Sequence, residues 1–165
     1  MWVVLKFEKN SLEFLKKELR EKFGKDCAIY NPKFFIQKCI NNKRIYKEFN
    51  LLGDYLFCFH KNFNNQNFIN NLKFTRGLKH LLNGHVYSQN EIIKFIRKCK
   101  DSESKTGYLT QNFYELYVNS KYQFTSGPFT EMIFKIINLQ KNKINILLGN
   151  IKTTIKKNEF LFNPL

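Results

Sequence analysis

Leu51-Leu52-Gly53-Asp54-Tyr55-Leu56-Phe57-Cys58-Phe59-His60 holds the strongest strand pattern of the chain, from Tyr55 to His60. A β-strand turns successive side chains to opposite faces. Tyr55, Phe57 and Phe59 therefore share one face, and Leu56, Cys58 and His60 the other. Both faces are largely apolar. One must meet a core. The other is either covered by a second layer or left as an exposed, adhesive patch.

Upstream, Trp2-Val3-Val4-Leu5-Lys6-Phe7 is a second run of aromatic and branched residues and reads as a strand. A helix follows, capped by Asn10 or Ser11, with Asn10 and Glu13 at capping-box spacing, and it runs to about Phe23. Leu12, Leu15, Leu19 and Phe23 make one apolar stripe, and Gly24 ends the helix. Ala28-Ile29-Tyr30 begins another strand, bent at Asn31-Pro32 and extended by Phe34-Phe35-Ile36. Asn41-Asn42-Lys43-Arg44 reads as a basic turn, and residues 45–49 as an irregular returning arm.

Downstream, residues 65–72 read as a short polar helix, followed by the Thr75-Arg76-Gly77-Leu78 turn and a short strand. Ser88-Gln89-Asn90-Glu91 is a capping box that starts a helix to about Cys99, with Ile92, Phe95, Ile96 and Cys99 on one face. Residues 101–113 are polar and read as a linker. From 114 to 165 the chain is a series of short β-prone runs, which suggests a small barrel. The division expected is 1–100, linker 101–113, and 114–165.

Composition narrows the function classes. The 165 residues carry 28 Lys plus Arg against 13 Asp plus Glu, a net charge of +15, with 18 Phe and 8 Tyr. So aromatic a chain, poor in Gly and Pro, is not disordered. The charge suggests a polyanionic partner. A bland reading stands beside it: 24 of the cations are Lys and 21 residues are Asn, a bias that AT-rich codons also produce. Residues 1–100 hold +12 of the charge and residues 101–165 hold +3. The four Cys show no CxxC pairing and read as reduced, cytosolic residues. The start of the chain reads as a strand and not as a signal sequence, and no window suggests a membrane span.

Catalytic signatures are missing. No phosphate-binding glycine loop, dinucleotide fingerprint, nucleophile elbow or H-E-x-x-H occurs. Cys58 and His60 share a strand face, but zinc sites use paired, closely spaced ligands, so packing is the better reading. Glu48 and Asp54 flank the arm without forming an acid/base pair. The expectation is a protein that is not an enzyme and has no cofactor or metal.

Four motifs in order carry a resemblance. Trp2-Val3-Val4, Leu51-Leu52-Gly53-Asp54-Tyr55-Leu56-Phe57, Thr75-Arg76-Gly77-Leu78 and Thr125-Ser126-Gly127-Pro128-Phe129 resemble the opening strand, central strand, turn and second-domain core of NusG/Spt5-type transcription elongation factors. The T-R-G form, with Ile146-Leu147-Leu148 and Lys157-Asn158-Glu159-Phe160, resembles the RfaH-like antiterminator branch. The resemblance implies an α+β chain: an NGN domain, an antiparallel sheet flanked by helices, then a KOW β-barrel. In the RfaH-like branch the second domain can also form a helical hairpin. Three departures stand out. Gly53-Asp54 replaces the family's Pro-Gly. Phe68-Ile69-Asn70-Asn71 stands where the branch has a His-Thr-Thr cluster. Thr130-Glu131-Met132-Ile133 replaces the second KOW glycine.

The resemblance further implies a monomeric cytoplasmic factor that docks on the clamp helices of RNA polymerase through Tyr55 and Phe57, with Leu52, Val4 and Phe95 as neighbours. Aromatic anchors suit such a hot spot. Phe57 and Phe95 could equally be plain core. Arg76, with Thr75, would face the non-template DNA strand, and Lys16, Lys17 and Arg20 would extend a basic surface. For Arg76 the competing reading is a surface salt bridge. The KOW domain would recruit a ribosomal protein or a termination factor. The alternatives are a free-standing RNA- or DNA-binding KOW protein associated with the ribosome, and a small nuclease, which the scarcity of clustered carboxylates and histidines disfavours.

Overall fold

The strand from Tyr55 to Phe59 is central in a four-stranded sheet, as its two apolar faces require. The computed structural model describes the chain except for residues 41 and 42 and the side chains of 37–42 and 44. The expected basic turn over 41–44 thus lies largely outside the described residues. In chain order the elements are β1 (Trp2–Phe7), α1 (Leu12–Phe23), β2 (Ala28–Tyr30), β3 (Lys33–Ile40), β4 (Lys43–Asn50), β5 (Tyr55–Phe59), α2 (Gln66–Lys73), β6 (Leu78–Leu81) and α3 (Gln89–Asp101). Then come β7 (Lys121–Phe124), β8 (Ile133–Leu139), β9 (Lys143–Leu148), β10 (Ile151–Lys156) and β11 (Phe162–Pro164). This is an α+β chain with antiparallel sheets.

The chain forms two compact units that do not follow simple chain order. The first comprises residues 1–32 and 50–98, and the second residues 33–49 and 99–165. The arm β3–β4 thus groups with the C-terminal half. This changes the charge reading. The first unit holds 14 cations against 7 anions and the second 14 against 6, so the net charges are +7 and +8. The asymmetry between the halves of the sequence belongs to the arm.

In the first unit the strand order is β2-β5-β1-β6. Val3, Leu5, Phe7, Leu56 and Cys58 form one face and bury Leu15, Leu19 and Phe23 of α1 and Ile69 and Leu72 of α2. The opposite face carries Phe57, packed with Ile92 and Ile96 of α3. Both faces of β5 are therefore covered. α1 has the predicted bounds and stripe, and Gly24 closes it at φ 72°, its N–H donating to the Arg20 carbonyl at 2.9 Å. The expected capping box does not form. Ser11 is the cap residue but has φ −99° and ψ 8°, outside the extended geometry that aims a capping hydroxyl, and it makes no side-chain cap bond. Glu13 instead pairs with Lys16 at 2.7 Å.

In the second unit β4 is an eight-residue strand paired with β3, where an irregular arm was expected. The 101–113 stretch is structured as well. Ser104 N–H donates to the Tyr108 carbonyl at 2.8 Å and Thr110 N–H to that of Ser102 at 2.9 Å. Leu109 and Gln111 are buried, and the Gln111 side-chain oxygen accepts from Phe162 N–H at 2.8 Å. The barrel-like runs make one five-stranded antiparallel sheet, β10-β9-β8-β7-β11. Its core is Tyr122, Phe124, Phe134, Ile136, Ile144, Ile146, Ile155 and Phe162. Residues 131–157 contain β8, β9 and β10 and no helix. No helix among the described residues is long and apolar enough to cross a membrane.

Two backbone positions explain the Thr125-to-Met132 turn. Gly127 has φ 83°, and a Cβ there would sit 2.3 Å from the Phe160 ring. The two motifs quoted from separate ends of this unit therefore meet in space. Glu131 adopts φ 73°, a left-handed conformation that costs a side-chain-bearing residue roughly 1–2 kcal/mol. The turn thus uses a glycine-type backbone at a position that carries a side chain. Its N–H donates to the Phe124 carbonyl at 2.9 Å and its own carbonyl accepts from Gln123 at 3.0 Å, which holds the strained residue in place.

Gly127→Ala should lower the stability of the second unit by about 2 kcal/mol or more through strain and displacement of Phe160. Glu131→Gly should raise it by about 0.5–1 kcal/mol, the strain relieved less the entropy of the added glycine. Chemical denaturation monitored by tryptophan-independent circular dichroism reads both. Equal effects of the two substitutions would contradict this account of the turn.

Candidate functional site

Alternation in β1 places Trp2, Val4 and Lys6 on the same sheet face as Tyr55, Phe57 and Phe59 of β5. The antiparallel register sets them directly opposite one another: Trp2 against Phe59, Val4 against Phe57 and Lys6 against Tyr55. Each pair is in contact range. The Trp2 and Phe59 rings have centroids 5.3 Å apart, and the Lys6 ammonium lies 5.0 Å from the Tyr55 ring. From β2, Tyr30 stacks on Phe57 at 6.4 Å. From α3, the Phe95 ring approaches Phe57 to 5.8 Å.

Gln89 fixes the start of α3 on this face. Its side-chain carbonyl accepts from Trp2 N–H at 2.9 Å, and its amide donates to the Trp2 carbonyl at 2.7 Å and the His85 carbonyl at 2.6 Å. The helix is thus tied to a backbone position in β1, and Ile92 and Ile96 seal the middle of the sheet.

The five apolar site residues read from the sequence lie on this side of the sheet with graded exposure. Phe57 is only 5% exposed and forms the floor. Val4, Leu52 and Phe95 are partly buried around it, and Tyr55, also partly buried, stands at the end of the face beside Lys6. Trp2 and Tyr30 complete the rim and were missed. Trp2 shares the strand face of Val4, so period-two alternation could have found it. Tyr30 needs the β2–β5 pairing, which has no local signature.

The basic residues are not brought together in one surface. Thr75 is buried, with its hydroxyl unpartnered, so within the turn Arg76 is the residue that reaches solvent. The turn packs on the first turn of α1. Gly77 accepts from Glu8 N–H at 2.9 Å, and its α-carbon faces Ser11, Phe14 and Leu15. At 100° per residue, Ser11, Phe14 and Lys22 share this flank of α1, and Lys22 donates to the Asn71 carbonyl of α2 at 2.6 Å. Lys16 and Arg20 fall on the other flank, and Lys17 points outward between the two. Arg20 is near enough to Cys27, at the β2 edge, to influence its thiol, whereas Arg76 precedes β6 at the opposite edge. Lys16 and Lys17 also pair within α1, with Glu13 at 2.7 Å and Glu21 at 3.7 Å. Lys22, not among the residues expected to bind nucleic acid, is the α1 cation on the Arg76 side.

His60 has a packing role. It is 3% exposed, stacks on Phe68 at 4.6 Å, and its Nδ1 accepts from Asn62 N–H at 3.1 Å. Burial holds its pKa below the ordinary histidine value. Among the described residues no cluster of three or more His, Cys, Asp or Glu could hold a metal ion.

No family model matches the chain, and no curated protein does. Among solved structures, the chain is similar to the crystal structure of the MjSpt4:Spt5 complex, at 12% identity and a TM-score of 0.35, over 100% of this chain and 98% of that one. It is also similar to Thermotoga maritima NusG, at 12% identity and a TM-score of 0.39, over 94% of this chain and 91% of that one.

The exposure gradient makes a prediction about stability. Phe57→Ala should cost about 3–5 kcal/mol, as for a buried aromatic, and Tyr55→Ala less than about 2 kcal/mol. Urea midpoints of the two variants check this, and equal losses would mean that Phe57 is not the floor of the patch.

Proposed function

We propose that this chain is a transcription elongation factor of the NusG/Spt5 type that catalyses no bond chemistry. It docks on the clamp helices of RNA polymerase, favours the closed, pause-resistant enzyme and so promotes elongation and antitermination. The observation that carries this reading is the apolar sheet face: Val4, Leu52 and Phe95, the neighbours expected around Tyr55 and Phe57, surround the Phe57 floor in one cluster. Half-exposed aromatics over a rigid floor bury much area at low entropy cost when a helical partner covers them. Arg76 makes the contact to single-stranded non-template DNA as a bidentate donor, with Lys22 further along the same flank of α1. The second unit recruits a further protein of the transcription or translation machinery.

The test is retention of purified RNA polymerase by the immobilised chain. Wild type should retain it, and Leu52→Ala/Tyr55→Ala should lose most of that binding while keeping the wild-type circular dichroism spectrum. Phe57 is left intact because its loss unfolds the face. Wild type failing to retain polymerase would overturn the reading. For the DNA contact, Arg76→Gln should weaken binding to single-stranded DNA and reduce the slope of log affinity against log salt by about 0.7. An unchanged slope would remove Arg76 from the interface. The +8 charge of the second unit is the observation behind a second reading, a free-standing RNA-binding protein. RNA binding without polymerase retention would favour it.

A further inference from the structure

Beneath the sheet, on the face away from the apolar patch, two thiols touch. Cys27 Sγ and Cys58 Sγ are 3.3 Å apart, 31 residues apart in sequence, and both are unbonded cysteines. Their meeting follows from register. Ala28 pairs with Phe59 and Ile29 with Cys58, so Cys27, one residue before β2, lies diagonally across from Cys58 on the same face. We propose that Cys27 and Cys58 are a redox modification site, closed to an intramolecular disulfide by a peroxide-class oxidant.

The two sulfurs differ in access. Cys58 is fully buried in the central strand. Cys27 is 8% exposed and flanked by exposed Asp26 and Ala28, next to Gly24 and Lys25 at the surface. Its strand β2 is a three-residue edge strand, the kind of element that opens locally at low cost. A water-sized oxidant therefore meets Cys27 first. The hydrogen bond from the Cys58 thiol, helped by the Arg20 charge and opposed by burial, holds the Cys27 thiol below its ordinary pKa. The same contact, with burial, pushes Cys58 up. Cys27 is thus the attacking sulfur and Cys58 the resolving one.

The chemistry balances with one peroxide. The Cys27 thiolate attacks a peroxide oxygen, the O–O bond breaks, and one water leaves, giving a sulfenic acid. Cys58 sulfur then attacks the Cys27 sulfur and expels the oxygen as a second water. Two thiols are oxidised and one peroxide is reduced. The product ties the edge strand β2 to the central strand β5 across the loop that holds the arm. Tyr30, which stacks on Phe57 from the other side of β2, is held with it.

The experiment uses the full chain, freshly reduced and then treated with hydrogen peroxide, denatured, alkylated and digested. The expected result is one peptide pair joining Cys27 to Cys58, the loss of two alkylatable thiols, and a higher melting midpoint that returns to the reduced value with dithiothreitol. Cys27→Ser should abolish the linked pair and the midpoint shift while leaving Cys99 alkylatable. Alkylated Cys27 and Cys58 after peroxide, a Cys27 oxidised beyond sulfenic acid, or a bridge to Cys39 or Cys99 would each overturn the proposal. If Cys27→Ser does not fold, the peptide map of the wild-type chain alone decides.

Discussion

Everything in the first unit depends on a strand whose two faces are both apolar. Tyr55 to Phe59 cannot sit at a water-facing position without exposing either Leu56 and Cys58 or Phe57. The fold answers by placing α1 and α2 on one side and α3 on the other. The two coverings differ in extent. The first buries the centre of its face completely, with Val3, Leu5, Leu15, Leu19, Leu56 and Leu72 at 0% exposure. The second is a single helix across the middle of the sheet, which leaves Val4, Leu52, Tyr55 and Phe95 half covered. The candidate site is the uncovered remainder of a core.

That origin explains why stability and binding are hard to separate at this face. Phe57 supports every residue around it and is itself almost out of reach of a partner. Its truncation leaves a cavity under the patch. The half-buried residues on the rim are the ones that can exchange water for a partner at little cost to the fold. Gln89 adds a polar constraint to this apolar arrangement: three hydrogen bonds from one side chain hold α3 against β1 and so determine how much of the sheet stays open.

Elements with strong periodicity were legible in the sequence. The stripe of α1, the face of α3 and the alternation of β1 and β5 depend on neighbours a few residues away, and the structure has them within a residue or two of the expected bounds. What local reading missed depends on distant partners. β4 is a strand because Tyr46 stacks on Phe35 at 5.4 Å and Glu48 pairs with Lys33 at 2.8 Å across the ribbon. The 101–113 stretch is polar, yet Gln111 is buried against Phe162, 51 residues away. The apolar patch was legible as a strand face, though the burial of Phe57 required knowing where α3 lies. The basic surface was only partly legible. Counting cations along α1 does not reveal that Lys16 and Arg20 occupy the flank away from the Arg76 turn, which lies beside Ser11 and Phe14.

In the proposed function a polymerase partner covers the half-open sheet face. Hydrogen–deuterium exchange of the full chain, alone and with purified RNA polymerase, reads that contact. Slowed exchange is expected in the peptides covering Trp2–Phe7, residues 50–57 and α3, with β10 and α1 unchanged by that contact. Polymerase that protects none of these segments, or protects only strands of the second unit, would contradict it.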